Sequence, residues 1–109
     1  MGNYEEIHSF NRENSGNYNH RVFSFVRWSE DEKLIIISNF DEDNNYTFDL
    51  KLPKSVISAW NLKDGNYQFT DQLNKEISFE LLVEKDKATM QLHLKPLASL
   101  ILRMEDKNL

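Results

Sequence analysis

Apolar and polar residues alternate along most of the chain, most cleanly at Tyr46, Phe48, Leu50 and Leu52, where the intervening Thr47, Asp49 and Lys51 are all polar. A period of two sends successive side chains to opposite faces of a strand, so this segment is predicted to bury one face and wet the other. The same reading holds for Ile77, Phe79 and Leu81 opposed by Ser78 and Glu80, and for Met90, Leu92 and Leu94 opposed by Gln91, His93 and Lys95. The runs 34–37 and 97–102 differ, being apolar at nearly every position. That is the pattern of strands covered on both sides or packed against another domain.

Turn signals separate these runs at residues 29–32, 41–45, 64–66 and 84–87, rich in Asp, Asn, Ser, Lys and Gly. Strands at hairpin spacing, with no long amphipathic crossovers between them, predict an all-β fold: an antiparallel two-sheet sandwich of Greek-key type. One short helix is expected near 54–61, because Pro53 suits a first helical position and Val56, Ile57 and Trp60 recur on one helical face. A strand is the competing assignment there, since Val and Ile are β-branched. Residues 1–19 hold only isolated apolar points and are read as a lead-in or linker, residues 20–105 as the sandwich domain, and residues 106–109 as a tail.

At 109 residues the chain has room for one core. Its formal net charge of -5, with Lys and Arg scattered among acids, gives no electrostatic footprint for a phosphate backbone, so nucleic acid is not an expected partner. The longest aliphatic block, residues 34–37, is far short of the roughly 20 residues a membrane-spanning helix needs. The amino end shows no basic region leading into an apolar stretch, so an export signal is expected, if at all, in a longer parent chain, and the compartment stays undetermined. Without cysteine there is no disulfide framework and no thiolate chemistry.

Carboxylates are plentiful, but Glu30, Asp31, Glu32, Asp41, Glu42 and Asp43 fall in turns, where solvation keeps them ionised and denies them the raised pKa of a general acid. Asp41, Asp43 and Asn45 imitate the opening of a calcium loop, yet Tyr46 and Leu52 occupy the positions that need Gly and Glu. His8, His20 and His93 are too dispersed to hold an ion. No catalytic, cofactor-binding or metal-ligating residues are therefore assigned. Asn45-Tyr46-Thr47 matches the N-glycosylation acceptor pattern on a predicted loop. Exposed aromatics can stack on sugar rings, which makes Trp28, Tyr18 and Tyr67 the candidate carbohydrate contacts, each with core packing as its plainer role.

Val22-Phe23-Ser24-Phe25-Val26-Arg27, a charged turn and then Lys33-Leu34-Ile35-Ile36-Ile37-Ser38-Asn39-Phe40, an aliphatic strand ending in Asn-Phe, resemble the first hairpin of the C-terminal domain in α-amylase-family glycoside hydrolases. Leu52-Pro53 resembles the entry to its short helix, and the stretch from Met90 through Pro96 and Leu97 to Leu102 its closing hairpin. Residues 4–11 are similar to the segment leaving the last barrel helix in a subgroup found in gut Bacteroides. The helix sequence Val56-Ile57-Ser58-Ala59-Trp60 is less aromatic than the family's usual one. The resemblance implies a non-catalytic domain whose partner is the (β/α)8 barrel of a parent hydrolase, where that family's catalytic acids reside. An α-glucan-binding module and an unrelated sandwich used for protein contacts are the alternatives.

Overall fold

A computed structural model describes residues 2–105; Met1 and the tail assigned to 106–109 lie outside the described residues. In chain order the elements are β1 (Asn3–Glu6), α1 (His8–Asn14), β2 (Val22–Trp28), β3 (Lys33–Asn39), β4 (Tyr46–Leu52), α2 (Lys54–Ala59), β5 (Gly65–Asp71), β6 (Ser78–Glu84), β7 (Lys87–Leu94) and β8 (Ser99–Met104). All strand pairings are antiparallel, as the alternation predicts.

The strands form one continuous sheet in the order β1-β2-β3-β8-β5-β6-β7-β4. The two layers of the expected sandwich are the halves of this sheet, joined where β8 pairs with β5 through only three residue pairs, Phe69 with Met104, Thr70 with Arg103 and Asp71 with Leu102. Short connections enforce the curl: residues 40–45 join β3 to β4, and residues 95–98 join β7 to β8, strands that lie in opposite halves. The order β8-β5-β6-β7 is a Greek key. Val22, Val26, Ile35, Ile37, Leu100 and Leu102 of one half and Phe48, Leu50, Phe69, Leu81, Met90 and Leu92 of the other belong to a single buried cluster.

Asn39, the last residue of β3, pins the crossings. Its Nδ2 donates to the carbonyls of Asn44 and Lys95, both at 3.0 Å, and its Oδ1 accepts the Asp41 N–H at 2.9 Å. The Leu97 N–H in turn donates to the Asp41 carbonyl at 3.1 Å. One side chain thus holds both turns that fold the sheet over itself. That gives the Asn of the Asn-Phe pair a mechanical reason.

Helix α2 forms where expected, with Pro53 one position earlier than predicted, as the N-cap, and with Val56, Ile57 and Trp60 buried. The lead-in differs from expectation. Residues 3–14 form an edge strand and a helix that are part of the folded body: β1 pairs with β2, and Ile7, Asn11 and Tyr18 are buried. The segment's apolar points are each anchored singly, so no sustained periodicity marks them. Among the described residues no helix is long and apolar enough to cross a membrane.

Candidate functional site

The two outer faces of the curled sheet are unlike. On β4, β6 and β7 the outward positions are Thr47, Asp49, Lys51, Glu80, Leu82, Thr89, Gln91 and His93, nearly all polar. On β2, β3 and β8 they are Phe23, Phe25 and Arg27, then Leu34, Ile36 and Ser38, then Ser99, Ile101 and Arg103. Register places Phe25 beside Ile36 and Ile36 beside Ile101, an apolar row running across three strands. These residues are half-buried or exposed, whereas their inward neighbours Val26, Ile35, Ile37 and Leu102 are fully buried.

Aromatic rings extend this row. Tyr4, 63% exposed, lies 5.2 Å from Phe25 between centroids, and Phe23 meets Phe40 edge-on at 5.4 Å. From α1, the His8 ring contacts Phe23 at 5.1 Å and the Arg12 guanidinium lies 5.4 Å above the same ring. Glu6 accepts the Ser9 N–H at 2.6 Å, and that bond first of all holds its carboxyl below the usual range. Loose aromatic rings would be ordinary; a connected set on one sheet face is the candidate interaction surface of this fold.

This face accounts for the two apolar runs only in part. Leu34, Ile36 and Ile101 form its strand positions, but Leu97 precedes β8 in a turn, at φ 57 and 61% exposed. Phe23 and Phe25 were not singled out by the sequence reading. The signal was present: if Val22, Ser24, Val26 and Trp28 take the inner face, then Phe23 and Phe25 must take the outer one.

The aromatic residues proposed for sugar contact do not come together. Tyr18 is buried, sharing a hydrogen bond of 2.7 Å with Ser24 and meeting Phe48 edge-on at 5.0 Å; burial pushes its phenol up to about 12. Tyr67 is half-buried on β5 and its hydroxyl accepts the Lys63 N–H at 2.9 Å, tying down the loop after α2. Trp28 ends β2 in an edge-to-face contact with Trp60 at 6.2 Å, and lines a depression of about 260 Å³ with Arg27, Glu32 and Leu34. A larger cavity, about 560 Å³, opens between α1, β4 and the β6–β7 hairpin, with Phe10, Leu52 and Ala88 beside Lys51, Lys54 and Lys87.

Among the described residues the acids named above do not form a reactive pair. Glu30, Asp31, Glu32, Glu42 and Asp43 are exposed, in keeping with solvated turns. Asp41 departs from that expectation and is 4% exposed. Its carboxylate accepts hydrogen bonds from the Tyr46 hydroxyl, from Asn44 Nδ2, and from the Asp43 and Asn44 N–H groups, which hold it far below the usual carboxylate range. A general acid needs the opposite shift. Its oxygens are occupied by donors of its own turn and by the Tyr46 hydroxyl at the start of β4, so the apparent calcium-loop opening is a turn cap. Among the described residues no three His, Asp or Glu side chains converge as a metal site would require.

Comparison with known proteins agrees with this fold. Residues 3–105 match the family model described as "Alpha amylase, C-terminal all-beta domain". A solved structure of an AmyP variant in complex with maltotriose aligns with 96% of this chain at 17% identity and a TM-score of 0.53. The chain spans 17% of the length of that protein. Curated proteins give no match.

Proposed function

The chain belongs to the α-amylase C-terminal all-β domain family, and from that premise we propose that it is a non-catalytic accessory domain that packs on, and stabilises, the (β/α)8 barrel of a parent glycoside hydrolase. The carrying observation is the asymmetry between the two outer faces. A free sandwich wets both; here the β2-β3-β8 face presents the row Phe25, Ile36, Ile101 with Tyr4, Phe23 and Phe40 around it. Covering such a face removes apolar area from water, at roughly 25 cal/mol per Å². The similarity of residues 4–11 to the corresponding segment supports placing the parent in the gut Bacteroides subgroup.

Thermal unfolding of the separately produced barrel, with and without this domain, tests the reading. The melting temperature should rise on addition, and the rise should vanish when Phe25→Ser and Ile36→Ser are combined in the domain. An unchanged barrel melt in the presence of the wild-type domain would reject the proposal.

A further inference from the structure

The arginines are not distributed as the lysines are. All four in the sequence, Arg12, Arg21, Arg27 and Arg103, lie on or beside the aromatic face. Arg27 is an outward residue of β2 opposite Leu34, Arg103 is the outward residue of β8 on the other side of Leu34, and Arg21 precedes β2 on the same alternation as Phe23 and Phe25. Arg12 reaches over Phe23 from α1 while its guanidinium donates to the His20 carbonyl at 3.0 Å. Most lysines lie elsewhere: Lys51 on β4, Lys54 on α2, Lys63 and Lys75 in loops, Lys85 and Lys87 at the β6–β7 hairpin, and Lys95 in the β7–β8 turn, while Lys33 opens β3 opposite Trp28, on the inward alternation of Ile35 and Ile37.

Two of these arginines are already engaged and two are not. Arg103 pairs with Glu32 at 3.3 Å and Arg12 is held as described. The guanidinium groups of Arg21 and Arg27 are exposed and make no hydrogen bond or ion pair among the described residues. A planar guanidinium offers a fork of donors that fits a carboxylate in bidentate fashion and loses hydration more readily than an ammonium, which is why protein interfaces favour arginine and aromatic rings and disfavour lysine. An apolar row with free arginines flanking it is built for a surface of matching pattern: apolar opposite Phe25 and Ile36, acidic opposite Arg21 and Arg27.

Resting on the docking reading above, we infer that the barrel surface covered by this face carries carboxylates that Arg21 and Arg27 bind, and that these pairs set the orientation of the domain. Charge complementarity of this kind acts on encounter and register, and it weakens as salt screens it.

The test measures the dissociation constant between this chain and the separately produced barrel by calorimetry at low and at high salt. The wild-type complex should weaken as salt rises. Combining Arg21→Glu and Arg27→Glu should weaken it at low salt by more than about tenfold, and combining Arg21→Lys with Arg27→Lys should give a value between the two. The isolated variants should keep the wild-type circular dichroism spectrum, since among the described residues neither guanidinium makes a hydrogen bond or ion pair, and Arg21 acts on the Tyr46 phenol only through its charge. If the wild type binds and the glutamate variant binds equally well, with no effect of salt, the acidic-partner inference is overturned while docking stands. If the wild type does not bind the barrel at all, both fall together.

Discussion

The carboxamide of Asn11 pairs with the main chain of Lys51 as a neighbouring strand would, donating Nδ2 to its carbonyl at 2.9 Å and accepting its N–H at 2.7 Å. Strand β4 is a sheet edge, and an edge presents unpaired backbone groups. Asn11, fully buried on α1, closes that edge at Lys51. Removing the side chain leaves both groups of Lys51 partly buried without partners, at about 1–3 kcal/mol each. Asn11→Ala should therefore lower the unfolding free energy by about 2–4 kcal/mol in urea titrations, and deletion of residues 1–14 should cost more, because Ile7 leaves the core with it.

Asp41 makes stability depend on acid. Its folded-state carboxyl lies below the ordinary range, chiefly because the Tyr46 hydroxyl donates to it, with Asn44 Nδ2 and the Asp43 N–H next. A depressed folded value means that the stabilisation is complete above the unfolded value, about 4, and is lost as pH falls below it. Urea midpoints measured from about pH 6 down to about pH 2 should fall less steeply for Asp41→Asn than for the wild type, and Tyr46→Phe should reduce the slope in the same direction.

Tyr18 carries the opposite sign. Burial raises its phenol to about 12 in the folded chain, so its contribution is fully present below an unfolded value of about 10 and is lost as pH rises between the two. Alkaline absorbance titration should show a late-ionising tyrosine that disappears in Tyr18→Phe. The same geometry makes Tyr18 a poor sugar platform: migration in amylose gels should be unretarded and insensitive to Tyr18→Phe, Trp28→Ala and Tyr67→Ala.

The β6–β7 hairpin closes on Lys85 and Asp86, at φ 51 and 65, with Glu84 paired to Lys87 on either side. A two-residue turn with both centres left-handed favours Asn-Gly; Lys85 is unsuited to its centre, and Asp86 tolerates its own less well than glycine would. Combining Lys85→Asn with Asp86→Gly should raise the unfolding free energy by about 1 kcal/mol, read from the urea midpoint at unchanged slope.

Much of this architecture is legible in the sequence because its physics is local. Alternation fixes which faces of β4, β6 and β7 are buried, and Pro53 with Val56, Ile57 and Trp60 marks α2. What escapes is whatever depends on distant partners. Ile7 and Asn11 look like isolated points in a polar lead-in, since their partners lie at Ser24 and Lys51. Asp41 reads as one more solvated turn acid because nothing nearby in the pattern reveals that Tyr46 will fold over it. The outer face was half visible: the aliphatic block at residues 34–37 announces it, while Phe23 and Phe25 join it only once register sets Phe25 beside Ile36.

Amide hydrogen exchange of the domain, alone and bound to the barrel, tests the docking account most directly. The account predicts added protection confined to β1, β2, β3 and β8 and to the turn at Phe40, with β4 and β7 unchanged. Protection appearing on β4, β6 and β7 instead, or none on either half, would contradict it.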